Sequence, residues 1–196
     1  MIKTIGHSNH PIGRFVDLLK AGGVEAVVDV RSTPYSRRFP QFGRERLTQS
    51  LAAAGILYRY EGAALGGLPA RSRSGFASAK AGKPATYDEI AGRPEFTEAL
   101  DRLVAGSADA TLCLMCAEKE PLDCHRTVLV SRRLAERGVR IEHLLADGRQ
   151  ESHDAIEDKL LTAAGEHEPD LFTTMDDRAQ RLARAYTARE RAMKRA

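Results

Sequence analysis

Residues 110–126, ATLCLMCAEKEPLDCHR, decide the fold. The first seven are uncharged and form a run too short for an independent helix, so they read as a strand buried on both faces of a parallel sheet and ending at Cys116. Beyond the polar AEKEPLD loop, small or apolar residues recur three or four apart at Cys124, Thr127, Val128, Ser131, Leu134 and Ala135. That spacing predicts a helix from about Asp123 to Gly138. Cys116, Glu118, Lys119, Cys124, His125 and Arg126 therefore gather where a strand's carboxyl end meets a helix's amino end. In open α/β sheets ligands bind at that place.

Outward from this unit the chain alternates strand and helix. IKTIG at 2–6 reads as a strand, and Pro11 opens a helix with Ile12, Phe15, Val16 and Leu19 on one face, closed by Gly22 and Gly23. VEAVVDV at 24–30 and ILYRY at 56–60 supply β-branched and aromatic strands, with a helix from Gly43 to Ala54 between them. A further helix after Pro94 runs to Gly106, and VRIEHLL at 139–145 is the last strand. The pattern predicts a three-layer α/β domain over 1–150, with a mostly parallel five-stranded sheet and helices on both faces. Residues 151–196 form a helical extension.

In that extension a short helix at 153–164 precedes a basic amphipathic helix at 178–196, where seven Lys or Arg face the single acid Glu190. A docked or solvated helix and a nucleic-acid contact are both consistent with it. Residues 62–86 hold five Gly and two Pro, with Arg71, Arg73, Lys80 and Lys83 unopposed after Glu61. They read as a mobile basic loop, either a lid or a solvated excursion.

With 196 residues, 42% of them hydrophobic, the chain can bury a substantial core. The net charge of +3 is too mild for composition alone to argue for nucleic acid. No signal peptide and no run of 18 apolar residues is present, which predicts a soluble cytoplasmic protein without a membrane partner. Three cysteines at 113, 116 and 124 suit a reducing compartment rather than a disulfide framework.

In a parallel sheet the strand carboxyl ends share one edge, so His7, Arg31, Tyr60, Cys116 and His143 should approach one crevice. The free N–H groups of a helix start, with Arg126, Lys119 and Arg31, make an anion cradle there. Arg31 follows Asp29 by two residues, so an internal ion pair is the competing account. Cys124 either packs against the sheet as a small apolar group or lies as a low-pKa thiolate in the first helical turn. Cys116, Cys124, His125 and His7 are metal-ligand types. Their spacing matches no zinc pattern, and adjacent helical residues point about 100° apart, so no metal ligand is assigned. No Walker loop, GxGxxG or Cys-x5-Arg loop names a cofactor.

TIGHSN at 4–9, DVRSTPYS at 29–36, GILY at 55–58, LGG at 65–67 and LMCAEKEPLDCHR at 114–126 together resemble the family called domain of unknown function 488. The resemblance spans residues 1 to about 150 and implies a cytosolic α/β domain with no settled activity. It implies that His7, Ser8, Asn9, Asp29, Arg31, Cys116, Glu118, Lys119, Cys124, His125 and Arg126 are the shared residues.

The leading expectation is binding of a phosphate-bearing ligand, a nucleotide or nucleic acid, at the strand edge, with or without catalysis. In a catalytic version Cys124 or Cys116 is the nucleophile and His125 or His7 the general base. Ser8, Asn9, Asp29, Arg31, Glu118, Lys119 and Arg126 then hold the ligand. The alternatives are a cysteine/histidine metal or thiol redox site, and a non-enzymatic interaction domain.

Overall fold

The computed structural model describes residues 1–67, 85–166 and 177–195. Strand β1 (Ile2–Gly6) leads to helix α1 (Ile12–Ala21), then β2 (Ala26–Asp29), α2 (Arg44–Ala53) and β3 (Leu57–Tyr60). Two short helices, α3 (Gly62–Leu65) and α4 (Tyr87–Ala91), precede the long α5 (Pro94–Asp109) and β4 (Leu112–Cys116). After α6 (Arg132–Ala135) come β5 (Ile141–Leu144), β6 (Gln150–Ser152), α7 (His153–Ala164) and α8 (Arg178–Met193). The basic residues Arg71, Arg73, Lys80 and Lys83 of the expected loop lie outside the described residues. Its first residues form α3, and its last, Thr86, caps α4.

The sheet has six strands, not five, in the order β3-β2-β4-β1-β5-β6. The first five are mutually parallel and β6 alone is antiparallel, paired with β5. The extra strand is three polar residues long, too short for an alternation to show. Its turn, with Gly148 at φ 97°, was foreshadowed only by the Asp147-Gly148 dipeptide. The expected boundary at residue 150 falls within β6.

Strand alternation divides the core. Leu112, Leu114 and Cys116 point to one face with Val28, Leu100, Leu103, Val128 and Leu134. Cys113 and Met115 point to the other with Ile5, Val27, Phe15, Leu19, Leu47 and Leu51. Helices α1 and α2 cover that second face, while α5, the helix after Cys124, α7 and α8 cover the first. The connection leaving β1 and the connection leaving β4 thus cross to opposite faces, although the two strands are neighbours. A crevice opens at such a switch point.

Helix α8 is docked rather than solvated. Ala185 and Tyr186 are buried in the same cluster as Leu112 and Leu160. Its polar side is also tied down: Arg189 Nε donates to the Leu122 carbonyl, Lys194 Nζ to the Ala85 carbonyl, and the Tyr87 N–H donates to Glu190. No described helix is long and apolar enough to cross a membrane.

Candidate functional site at the β1–β4 switch point

Main-chain pairing continues past the ends of β1 and β4. The His7 N–H donates to the Cys116 carbonyl at 2.8 Å and the Ser8 N–H to the Ala117 carbonyl at 2.9 Å. Ser8 takes φ 46°, a left-handed conformation uncommon for serine, as the chain turns away from the sheet. The loop after β4 folds back so closely that a Cβ on Gly6 would stand 1.8 Å from the Glu118 carbonyl oxygen. Glycine at position 6 is what lets the two loops touch.

The helix predicted from Asp123 begins only at His125 and is π-helical before it becomes α6. Pro121–Asp123 make a 3-10 turn, Cys124 is extended at φ −134° and ψ 137°, and Arg126–Ser131 form a π-helical segment before α6. Cys124 therefore precedes the helix. Its carbonyl accepts the N–H groups of Thr127 and Val128, and its sulfur lies 3.4 Å from the Arg126 N–H. Because Cys124 is not helical, the 100° divergence expected between it and His125 does not arise.

Four polar side chains meet at this point. Cys116 Sγ lies 3.5 Å from His125 Nδ1, and Cys124 Sγ lies 2.9 Å from Glu118 Oε2. One ligand atom from each of Cys116, Glu118, Cys124 and His125 falls within 4.8 Å of all the others. His125 Nε2 is 2.9 Å from the Val30 carbonyl, which can only accept, so Nε2 carries a proton and Nδ1 faces the sulfurs. Gly67 packs on the imidazole, where a Cβ would come within 2.7 Å of the ring.

Electrostatics separates the two thiols. Burial raises Cys124, but hydrogen bonding from Cys116 and the charges of Arg126 and His125 outweigh it and hold the thiol well below its ordinary range. Burial, Cys124 and Glu118 push Cys116 well above it. Burial and Cys124 raise Glu118 above its ordinary value. Burial lowers His125, but Cys124 and the Val30 carbonyl raise it more. Cys113 is core: burial pushes its thiol up to about 12.

The expected anion cradle is assembled differently. Arg31 Nε and an Nη bind Asp29 at 2.9 and 2.6 Å, and that same Nη donates to the Phe42 carbonyl. The other Nη reaches His7 Nε2 at 3.2 Å, which leaves Arg31 5% exposed. Asp29 is fully buried and also accepts the Tyr58 hydroxyl at 2.8 Å. Arg126 is 0% exposed and donates to the Glu118 and Lys119 carbonyls at 2.7 and 3.1 Å. The two arginines do not converge on a shared open volume: each braces main chain, and the ion-pair account of Asp29 and Arg31 is the observed one. Lys119 contributes its carbonyl, while its ammonium points outward toward Glu120.

His7 is likewise committed. Its Nδ1–H donates to the Ser8 carbonyl at 2.8 Å, its Nε2 accepts from Arg31, and its ring stacks on Phe42 at 4.2 Å. Burial lowers its pKa to about 4, with Arg31 adding to the effect, so it is neutral and has no open base position. His143 is not at the crevice at all. It pairs in register with Thr4, inside the sheet, and bonds Thr4 and His153. Sequence reading missed Tyr58, Phe42 and the Val30 carbonyl, which act as supports and carry no chemical signature of their own.

Above the four-residue cluster opens a cleft of about 1360 Å³. His7, Ser8, Asn9, Arg31, Cys116, Glu118 and His125 line its floor, the 32–39 loop one wall, and Arg189, Met193 and Lys194 of α8 the other. The arrangement offers a thiol–imidazole pair and a four-membered ligand set, of which Cys116, Glu118 and His125 line the cleft while Cys124 is buried.

The family model described as Domain of unknown function DUF488 matches residues 11–133, more than half of the chain. No curated protein and no solved structure matches it.

Proposed function

The chain belongs to the DUF488 family, which brings no activity with it, and we propose from the cleft itself that it binds a phosphate-bearing ligand, a nucleotide or a nucleic acid. One observation carries this reading. Arg38 lines the cleft and, with its neighbour Arg37, has no carboxylate partner among the described residues, while Thr33, Tyr35 and Ser36 put hydroxyls beside it. The Arg38 guanidinium lies 5.5 Å from the centre of the Phe39 ring, which steadies it without neutralising it. An exposed cation with no carboxylate partner among the described residues, in a cleft that hydroxyls also line, suits phosphate oxygens, and Tyr35, 68% exposed, offers a face for a base. The reading places the anion on the 32–38 loop instead of on Arg126.

Titration with inorganic phosphate, a nucleoside monophosphate and a short single-stranded oligonucleotide, followed by backbone NMR, tests it. Shifts are expected at Ser8, Asn9 and residues 32–38. Arg38→Ala should weaken binding by roughly ten- to a hundredfold, since a charge-assisted hydrogen bond contributes about 1.5–3 kcal/mol. Affinity should fall steeply with salt for the oligonucleotide. Absence of shifts in that loop with all three ligands would end the reading.

A further inference from the structure

We propose that Cys116, Glu118, Cys124 and His125 together hold one divalent cation of the zinc class, open to the cleft. The inference stands on these four side chains alone and is independent of the ligand proposed above them.

The donor set fits such an ion in type. Two sulfurs, one imidazole nitrogen and one carboxylate oxygen suit a borderline-soft metal, whereas calcium and magnesium take oxygen. It also fits in size. With metal–sulfur bonds of about 2.3 Å and metal–nitrogen bonds of about 2.0–2.1 Å, tetrahedral geometry sets sulfur and nitrogen roughly 3.6 Å apart. Cys116 Sγ and His125 Nδ1 lie 3.5 Å apart. The Cys124–Glu118 contact at 2.9 Å is closer than tetrahedral ligands stand, as a pair sharing a proton should be, and an ion replacing that proton need part them only by tenths of an ångström.

The surroundings are those a metal ligand needs. The His125 tautomer is fixed by its bond from Nε2–H to the Val30 carbonyl, which leaves Nδ1 as the only free donor atom of the ring. The Arg126 N–H points at Cys124 Sγ. The Arg126 guanidinium grips the carbonyls of Glu118 and Lys119, which fixes the loop that presents the carboxylate. Two thiolates and a carboxylate overbalance a divalent ion by a single charge, and buried Arg126 lies beside them to offset it. Gly67 leaves no side chain over the ring. Three ligands are firmly placed, while Glu118 belongs to an exposed loop and lines the cleft. Such a site can exchange its weakest ligand for water or for an oxygen of a bound molecule.

The experiment uses the full chain purified without a metal-affinity step. Metal content is measured first, and the chelated protein is then titrated with zinc alone and with cobalt(II) alone. One equivalent of metal is expected. Cobalt should give a tetrahedral ligand-field spectrum with sulfur-to-metal charge transfer sized for two thiolates. Cys116→Ser and Cys124→Ser should each lower zinc affinity by at least about 100-fold, the upper end of what losing an outer-shell partner costs. Glu118→Gln should lower it less and speed release, and Cys113→Ser should leave it unchanged. Should a cysteine variant unfold, the cobalt spectrum of the unaltered chain still counts thiolates and reports geometry. Substoichiometric binding, an octahedral or sulfur-free cobalt spectrum, zinc affinity indifferent to both cysteines, or isolation of a Cys116–Cys124 disulfide in place of metal overturns the proposal.

Discussion

At the scale of single residues, the site depends on groups that never touch a ligand. Asp29 and Arg31 form a buried pair whose every polar atom is engaged, and removing one partner strands the other charge away from water. Asp29→Ala is expected to destabilise the fold by about 3–5 kcal/mol, measured by urea unfolding. A loss below about 1 kcal/mol would mean that water reaches Arg31. Gly6 poses a different constraint, since any Cβ there strikes the Glu118 carbonyl. Gly6→Ala should cost at least about 2 kcal/mol and shift the amide resonances of residues 117–119, because the loop must lift to admit a methyl. Unchanged resonances in that loop would contradict the close approach. Gly6 and the Asp29–Arg31 pair thus hold in place the loops that carry His7, Cys116 and Glu118.

At the scale of elements, helix α7 and strand β5 are joined by a buried polar chain. Thr4 Oγ1, His143, His153 and Tyr186 follow one another at 2.8, 3.0 and 3.2 Å, and the Tyr186 hydroxyl donates to Glu157 at 3.0 Å. Burial lowers His153 to about 4, and burial with His153 and Arg126 nearby lowers His143 well below its ordinary value. Both rings are neutral in the folded chain and titrate near pH 6.5 when unfolded. Their contribution is therefore intact above about pH 6.5 and is lost as pH falls toward 4. For His153 alone the loss is on the order of 3 kcal/mol. Thermal midpoints measured across that window should fall, and His153→Gln should flatten the slope. A midpoint independent of pH between 7 and 4 would show that the relay is wet. None of this was legible in the sequence: His143 reads as a strand-end residue, and only the register with Thr4 places it inside. The strands of the central sheet were legible because runs such as LCLMC have few alternatives, whereas the extended Cys124 just before the helix leaves no periodic trace. That extended residue matters most, since it turns Cys124 and His125 from diverging neighbours into convergent ones.

At the scale of the whole molecule, residues far apart in sequence form one site because parallel strands β1, β2 and β4 end on one edge, where β1 and β4 send their connections to opposite faces. The shared edge followed from the alternation of elements, whereas the strand order that makes β1 and β4 neighbours did not. The second wall of the cleft did not, because α8 shows only a basic amphipathic stripe until its partners are known. Deleting residues 178–196 tests what the wall contributes. The sheet is complete without it, so the shortened chain is expected to keep a cooperative transition. Its stability should fall by about 2–4 kcal/mol, as Tyr186 and Ala185 leave the core they share with Leu160 and the chain loses the ties from Glu190, Arg189 and Lys194. Affinity for a ligand in the cleft should fall with it, since Arg189, Met193 and Lys194 are gone, whereas a metal held by Cys116, Glu118, Cys124 and His125 should remain, because none of those groups bonds to α8. A calorimetric transition that broadens into non-cooperative melting would instead make α8 an obligatory part of the core and the sheet unable to stand without it.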